Sequence, residues 1–165
     1  MQPLLNLGSS IKLIVTDFDG VLTDGSIYIH DDGTTSKKMS YKDLMGIFQA
    51  QKAGINIAII SGDKSKAIDC IKEKCPAIET FQNIRIKIDI LKDLVDKYYL
   101  TPEEVVYIGD DVNDIICLET VKYKVTVPNA NWQVKKIKNI QITKNNGGDG
   151  AFREVVDSIC FLQSM

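Results

Sequence analysis

Two carboxylate pairs stand in this 165-residue chain directly after short runs of apolar and β-branched residues. The run Ile11–Thr16 ends in Asp17-Phe18-Asp19-Gly20-Val21-Leu22-Thr23-Asp24-Gly25, and the run Glu104–Ile108 ends in Gly109-Asp110-Asp111-Val112-Asn113-Asp114. A third run, Ile57–Ile60, ends in Ser61-Gly62-Asp63, and Lys87 opens a helical stretch between the second and third of these motifs. Each piece alone has an ordinary reading: Asp-Gly as a turn, Ser61-Gly62-Asp63 as a helix cap, Lys87 as a solvated cation. Together they are a set of tools. Crowded carboxylates repel and raise one another's pKa, a cost that a divalent cation relieves, and oxygen ligands with retained waters suit Mg²⁺. One carboxylate can attack phosphorus and split hydrolysis into two easier displacements. A second, two residues on, can protonate the leaving alkoxide and then deprotonate the attacking water. A lysine neutralises the charge on the phosphoryl oxygens while a hydroxyl and backbone amides orient them. The single histidine, His30, lies in the turn-rich Tyr28-Ile29-His30-Asp31-Asp32-Gly33, which argues against a histidine-based scheme.

These groups must be carried by elements that bring them together. Ile11–Thr16, Ile57–Ile60, Glu104–Ile108 and Lys124–Val127 read as buried strands without strict alternation. Helical stretches fall at about 41–53, 64–74, 86–98, 112–120 and 151–162, and Thr101-Pro102-Glu103-Glu104 reads as a helix start. Strand and helix in alternation imply an α/β fold with a doubly wound parallel sheet, in which ligands bind beyond the carboxyl ends of the strands. One piece departs from the rhythm: Ser26–His30 and Thr34–Ser40 flank Asp31-Asp32-Gly33 as a β-hairpin after the first strand.

Length and the lack of any linker or repeat predict one domain over residues 1–165. The net charge of −2 argues against a nucleic-acid or anionic-membrane partner. No basic leader and no long apolar run are present, so a cytoplasmic protein is expected. Cys70, Cys75, Cys117 and Cys160 lack CxxC spacing and read as buried reduced thiols rather than a zinc site.

In order and spacing, Asp17-x-Asp19-Gly-Val-Leu-Thr-Asp-Gly, Ser61, Lys87 and Gly109-Asp110-Asp111-x-x-Asp114 resemble the four motifs of the haloacid dehalogenase superfamily, across nearly the whole chain. The resemblance implies a Rossmann-like core with Asp17 as nucleophile, Asp19 as general acid/base, and Ser61 and Lys87 holding the phosphoryl group. It further implies Mg²⁺ on Asp17, the backbone carbonyl of Asp19, and Asp110, with Asp111 and Asp114 behind them. Lys38-x-x-x-x-Asp43-x-x-Gly46-Ile47, Pro128-Asn129-Ala130 and Gly147-Gly148-x-Gly150-Ala151-x-Arg153-Glu154 are similar to the 3-deoxy-manno-octulosonate 8-phosphate phosphatases and their nine-carbon, sialic-acid-type relatives. Those enzymes act on sugar-acid phosphates, lack a cap domain and form tetramers. Independently, the 41 residues between Asp19 and Ser61 leave room for a hairpin and a helix but no cap, so a neighbouring subunit is expected to roof the site.

Departures from the subfamily pattern bear on the substrate. Asp63 stands where the octulosonate enzymes usually carry arginine, and Lys74, one helix-length on, matches a lysine of some nine-carbon phosphatases. Asn83, Ile86 and Leu44 also differ. Gly62, Asp63, Lys74, Lys38 and Arg153 are the candidates for reading the sugar, with Lys42 a further cation, and an eight-carbon ulosonate phosphate is expected ahead of a nine-carbon one. Two other classes share parts of the pattern: a phosphoacceptor receiver domain, which would lack an acid at position 19, and a non-catalytic tetramerisation module of the kind fused to sialic-acid synthetases.

Overall fold

A computed structural model describes residues 4–165. Strands β1 (Leu13–Thr16), β4 (Asn56–Ile60), β5 (Glu79–Phe81), β6 (Val105–Ile108), β7 (Tyr123–Thr126) and β8 (Gln141–Ile142) form a six-stranded sheet in the order β5-β4-β1-β6-β7-β8. Every pairing in it is parallel. Alternate residues serve opposite faces, as strand geometry requires. Ile14, Ile57, Ile59, Val106 and Ile108 pack with Ile47, Ile68 and Phe152 from α1 (Tyr41–Lys52), α2 (Lys66–Lys74) and α5 (Ala151–Gln163). Leu13, Val15, Ala58, Ile60 and Tyr107 pack with Leu91 and Leu118 from α3 (Lys87–Lys97) and α4 (Ile115–Thr120) on the other face. Both faces are therefore covered, which is why the strands read as continuous apolar runs.

The caps follow from side chains at the helix starts. Ser40 Oγ accepts from the Lys42 amide at 3.1 Å and Ser65 Oγ from the Ala67 amide at 3.3 Å. The buried Asp43 carboxylate of α1 accepts from the amides of Gly150 (3.0 Å) and Arg153 (3.1 Å), the amino end of α5. Gly46 lets the two helices touch, since a Cβ there would sit 3.0 Å from Arg153 Cα. Glu154 in turn accepts from the amides of Lys144 and Asn145, tying the approach to α5.

Several expectations shift. β5 and β8 were not anticipated; they have three and two residues, too few to show a pattern. The hairpin is shorter than its flanks suggested: β2 (Tyr28–Ile29) pairs antiparallel with β3 (Thr35–Ser36), and a further bridge joins Thr23 to Met39. Pro102–Glu104 is a single 3₁₀ turn with a capping box, because the chain enters β6 at Val105. The stretch 112–120 divides into a 3₁₀ turn, Val112–Asp114, and the six-residue α4. Cys70 is exposed rather than buried. Among the described residues no helix is long and apolar enough to cross a membrane.

Candidate active site

The strand order turns back at β1, which has β4 on one side and β6 on the other. The carboxyl ends of these three central strands deliver Asp17, Ser61 and Asp110 to one edge, the place where parallel sheets bind ligands. A cavity of about 300 Å³ opens there, lined by Asp17, Asp19, Ser61, Asp63, Asp110 and Asn113, among others.

Asp17 is buried. Its Oδ1 accepts from the Phe18 amide at 2.6 Å and its Oδ2 lies 2.7 Å from Lys87 Nζ. The same ammonium donates to Asp114 Oδ1 at 2.8 Å, and the Tyr107 hydroxyl donates to that oxygen at 2.8 Å as well. Asp114 Oδ2 accepts from the amides of Asp110 (3.1 Å) and Asp111 (3.3 Å). Both oxygens of Asp114 are thus occupied by donors, and its work is to fix Lys87 and the turn that carries Asp110. A Cβ at Gly109 would fall 2.5 Å from the Asp114 side chain, so that turn tolerates only glycine. Asp111 caps the same turn, accepting from the Val112 amide and from Asn131 Nδ2.

Charge crowding shows in the titration of these groups. Burial, then Asp114, pushes the Asp17 carboxyl well above its ordinary value, and Lys87 pulls the other way. Burial, then Asp114 and Asp111, raises Asp110 to about 7. Burial would lower the Lys87 ammonium, but the facing carboxylates of Asp114 and Asp17 outweigh it and raise it.

Asp110 Oδ1 is buried without a hydrogen-bond partner, an expensive state for a carboxylate oxygen. Ligand oxygens of Asp17, Asp110 and Asp114 all lie within 4.8 Å of one another. Hard oxygen donors, an orphaned anionic oxygen and raised carboxyl pKa values fit a divalent cation. Each oxygen of Asp114 accepts from two donors, whereas each oxygen of Asp17 meets one and Asp110 Oδ1 none, so Asp17 and Asp110 keep lone pairs with which to hold it.

Ser61 is buried with its Oγ accepting from the Asp63 amide at 3.2 Å. Gly62 and Asp63 border the cavity. The remaining substrate candidates are not gathered with them. Lys74 lines a separate apolar cleft of about 310 Å³ between α1 and α2, and Asp63 pairs instead with Lys37, at 3.4 Å. Lys38 is exposed. Arg153 pairs with Asp157 at 2.8 Å, and Lys42 with Asp149 at 3.0 Å. Lys37 is the cation that turns inward, 2.7 Å from Asp19 Oδ2. Sequence reasoning passed over it because β3 is too short for alternation to tell which of two adjacent lysines faces the site.

Gly147 and Gly148 lie under the loop after β1: the Gly148 amide donates to the Val21 carbonyl at 2.9 Å. The Gly147 amide donates to Asn129 Oδ1 at 3.2 Å.

Comparison with known proteins places these features in context. The sequence profile of the haloacid dehalogenase-like hydrolases matches residues 63–155. The chain is 32% identical over 160 residues to the 3-deoxy-D-manno-octulosonate 8-phosphate phosphatase of Salmonella typhi, covering 97% of this chain and 85% of that protein. It is 34% identical over 157 residues to the enzyme of the same name from Escherichia coli K12, with coverage of 93% and 81%. The crystal structure of the Moraxella catarrhalis 3-deoxy-D-manno-octulosonate 8-phosphate phosphatase, in complex with magnesium, phosphate and KDO, matches with a TM-score of 0.89 at 31% identity. The match covers 94% of this chain and 89% of that one.

Proposed function

This chain belongs to the haloacid dehalogenase-like hydrolases, and from that premise we propose that it is a Mg²⁺-dependent phosphatase of sugar-acid phosphates. The substrate is the terminal phosphate ester of a 3-deoxy-2-ulosonic acid, with 3-deoxy-D-manno-octulosonate 8-phosphate first, the substrate named for its relatives. The observation that carries the chemistry is the buried Asp17 carboxylate facing Lys87 beside the orphaned Asp110 oxygen. That arrangement suits a nucleophile next to a cation site.

Asp17 attacks phosphorus, the ester oxygen leaves with a proton from Asp19, and an aspartyl-phosphate forms on Asp17. Asp19 then takes a proton from water, whose oxygen attacks the same phosphorus and releases phosphate, restoring Asp17. Lys87, held by Asp114, balances charge on the phosphoryl oxygens, and the Ser61 hydroxyl orients one of them. Mg²⁺, when bound by Asp17, the Asp19 carbonyl and Asp110, would neutralise the carboxylates and the developing phosphoryl charge.

The reading includes a cytoplasmic homotetramer. Four free thiols suit a reducing compartment. Ile27, Tyr28 and Ile29 stand exposed on the hairpin, an apolar surface that a second copy would cover. Phosphate release with Mg²⁺ from eight- and nine-carbon ulosonate phosphates tests the function; failure to release phosphate from either would sink it. Full activity in a light-scattering monomer would end the tetramer reading alone.

A further inference from the structure

The hairpin reaches the Asp19 carboxylate through the Lys37 side chain. Lys37, directly after β3, has a side chain only 9% exposed, and its Nζ lies 2.7 Å from Asp19 Oδ2 and 3.4 Å from Asp63 Oδ2. Its ammonium sits 5.6 Å from the centroid of the Phe18 ring, and Phe18 itself is fully buried between Asp17 and Asp19. A lysine stem frozen in this way has already lost the rotamer freedom that weakens most ion pairs. Of its two partners, Asp19 is closer and 35% exposed, whereas Asp63 is 72% exposed. The contact with Asp19 therefore dominates, because solvent screens the other.

Among the described residues the Asp19 carboxylate has one other hydrogen-bond partner, the Thr23 hydroxyl, which donates to Oδ1 at 3.3 Å. Thr23 is also the residue that bridges to Met39, two positions beyond Lys37. Both groups that hold the Asp19 carboxylate thus come from the two sides of a single backbone bridge at the base of the hairpin. A general acid must lie within hydrogen-bond reach of the oxygen it protonates, and a displacement of about 1 Å can lower a rate by about 10²-fold.

We infer that Lys37 is the positioning residue for Asp19, through which the hairpin sets where the general acid/base stands. The inference rests on the phosphatase reading, and it is a claim about geometry: Lys37 acts on turnover only by way of Asp19. Its signature is dependence on the leaving group. An alkoxide needs the proton that Asp19 brings, whereas 4-nitrophenolate departs as a stable anion without it.

The test compares kcat/KM, which reports steps up to the first displacement, for an ulosonate phosphate and for 4-nitrophenyl phosphate, with Mg²⁺ present. Lys37→Met should lower the value for the ulosonate by about 10- to 100-fold and that for 4-nitrophenyl phosphate by less than about threefold. Lys37→Arg should restore most of the loss. In an Asp19→Asn background, Lys37→Met should add less than about twofold on the ulosonate, the non-additivity expected of residues that act as a unit. Equal losses on both substrates, or a full additional loss in the Asp19→Asn background, would overturn the inference and leave the phosphatase reading intact. A wild-type protein inactive on both substrates would overturn both.

Discussion

Gly147 lies directly against Gly20: a Cβ at position 147 would fall 1.7 Å from the Gly20 carbonyl oxygen. The loop that follows Asp17 therefore rests on backbone from the far end of the chain. Gly20 in turn, at φ +83°, leaves space for Asp110, whose Oδ2 would be 1.9 Å from a Cβ there. Gly147→Ala must push this stack apart and should destabilise the fold by about 1–3 kcal/mol, with turnover falling as Asp17 and Asp110 separate. Thermal melting and kcat check it; a variant with wild-type values in both would show that the loop yields freely.

Removing the proposed nucleophile gives the sharpest kinetic expectation. Asp17→Asn keeps the shape but cannot attack phosphorus, so kcat should fall by about 10⁴-fold or more. Asp19→Asn should slow both ester cleavage and hydrolysis of the aspartyl-phosphate. An Asp17→Asn preparation, free of contaminating phosphatase, that kept about a tenth of the activity would remove Asp17 from its role.

Metal and pH are linked through Asp110. Its carboxyl, ordinarily at 3.8, is raised to about 7 in the folded protein, and Asp17 and Asp43 are raised in the same sense. A raised acid favours the folded state when protonated, so this stability is fully present below about 3.8 and is lost as pH rises through about 7. In chelator the protein should melt lower at pH 8 than at pH 5.5. Mg²⁺ offsets the repulsion only when the carboxylates are ionised, so its stabilising shift should be larger at pH 8. Asp110→Asn should weaken Mg²⁺ binding by about 100-fold or more in calorimetric titration, whereas Cys70→Ser should leave it unchanged. An equal Mg²⁺-induced shift at both pH values would contradict the cation site.

Asp63 is the residue proposed to read substrate length. It stands at the mouth of the cavity and is 72% exposed, with Lys37 as its only ion-pair partner among the described residues. Asp63→Arg should change the ratio of kcat/KM between eight- and nine-carbon substrates more than it changes turnover of a small phosphate ester. A uniform change across all three would show that Asp63 does not read the sugar.

The sheet and the cluster at its edge were legible because each motif sits where an apolar run stops, and a parallel strand delivers its last residue to a known place. Asp17, Ser61 and Asp110 are placed by that rule alone. What was hidden depends on partners distant in the chain. Tyr107 reads as a core residue in an apolar strand, yet its hydroxyl donates to Asp114. Lys37 and Lys38 follow a two-residue strand, too short for its alternation to tell them apart. Gly147-Gly148 signals close approach, but only the folded chain shows that the approaching body is the loop after β1. The short β5 and β8 owe their existence to neighbours already in the sheet rather than to any pattern of their own.

The ammonium of Lys87 has a consequence for the order in which the protein matures. It is shared by Asp17 from the first strand and by Asp114, 27 positions beyond the lysine. A nascent chain that has made β1, α1 and β4 carries Asp17 but not the Lys87 ammonium that faces it. Reactivity is thus a late acquisition, arriving only when distant segments close on one another, the slow part of folding in parallel sheets. During refolding, helical signal should return before catalytic turnover does.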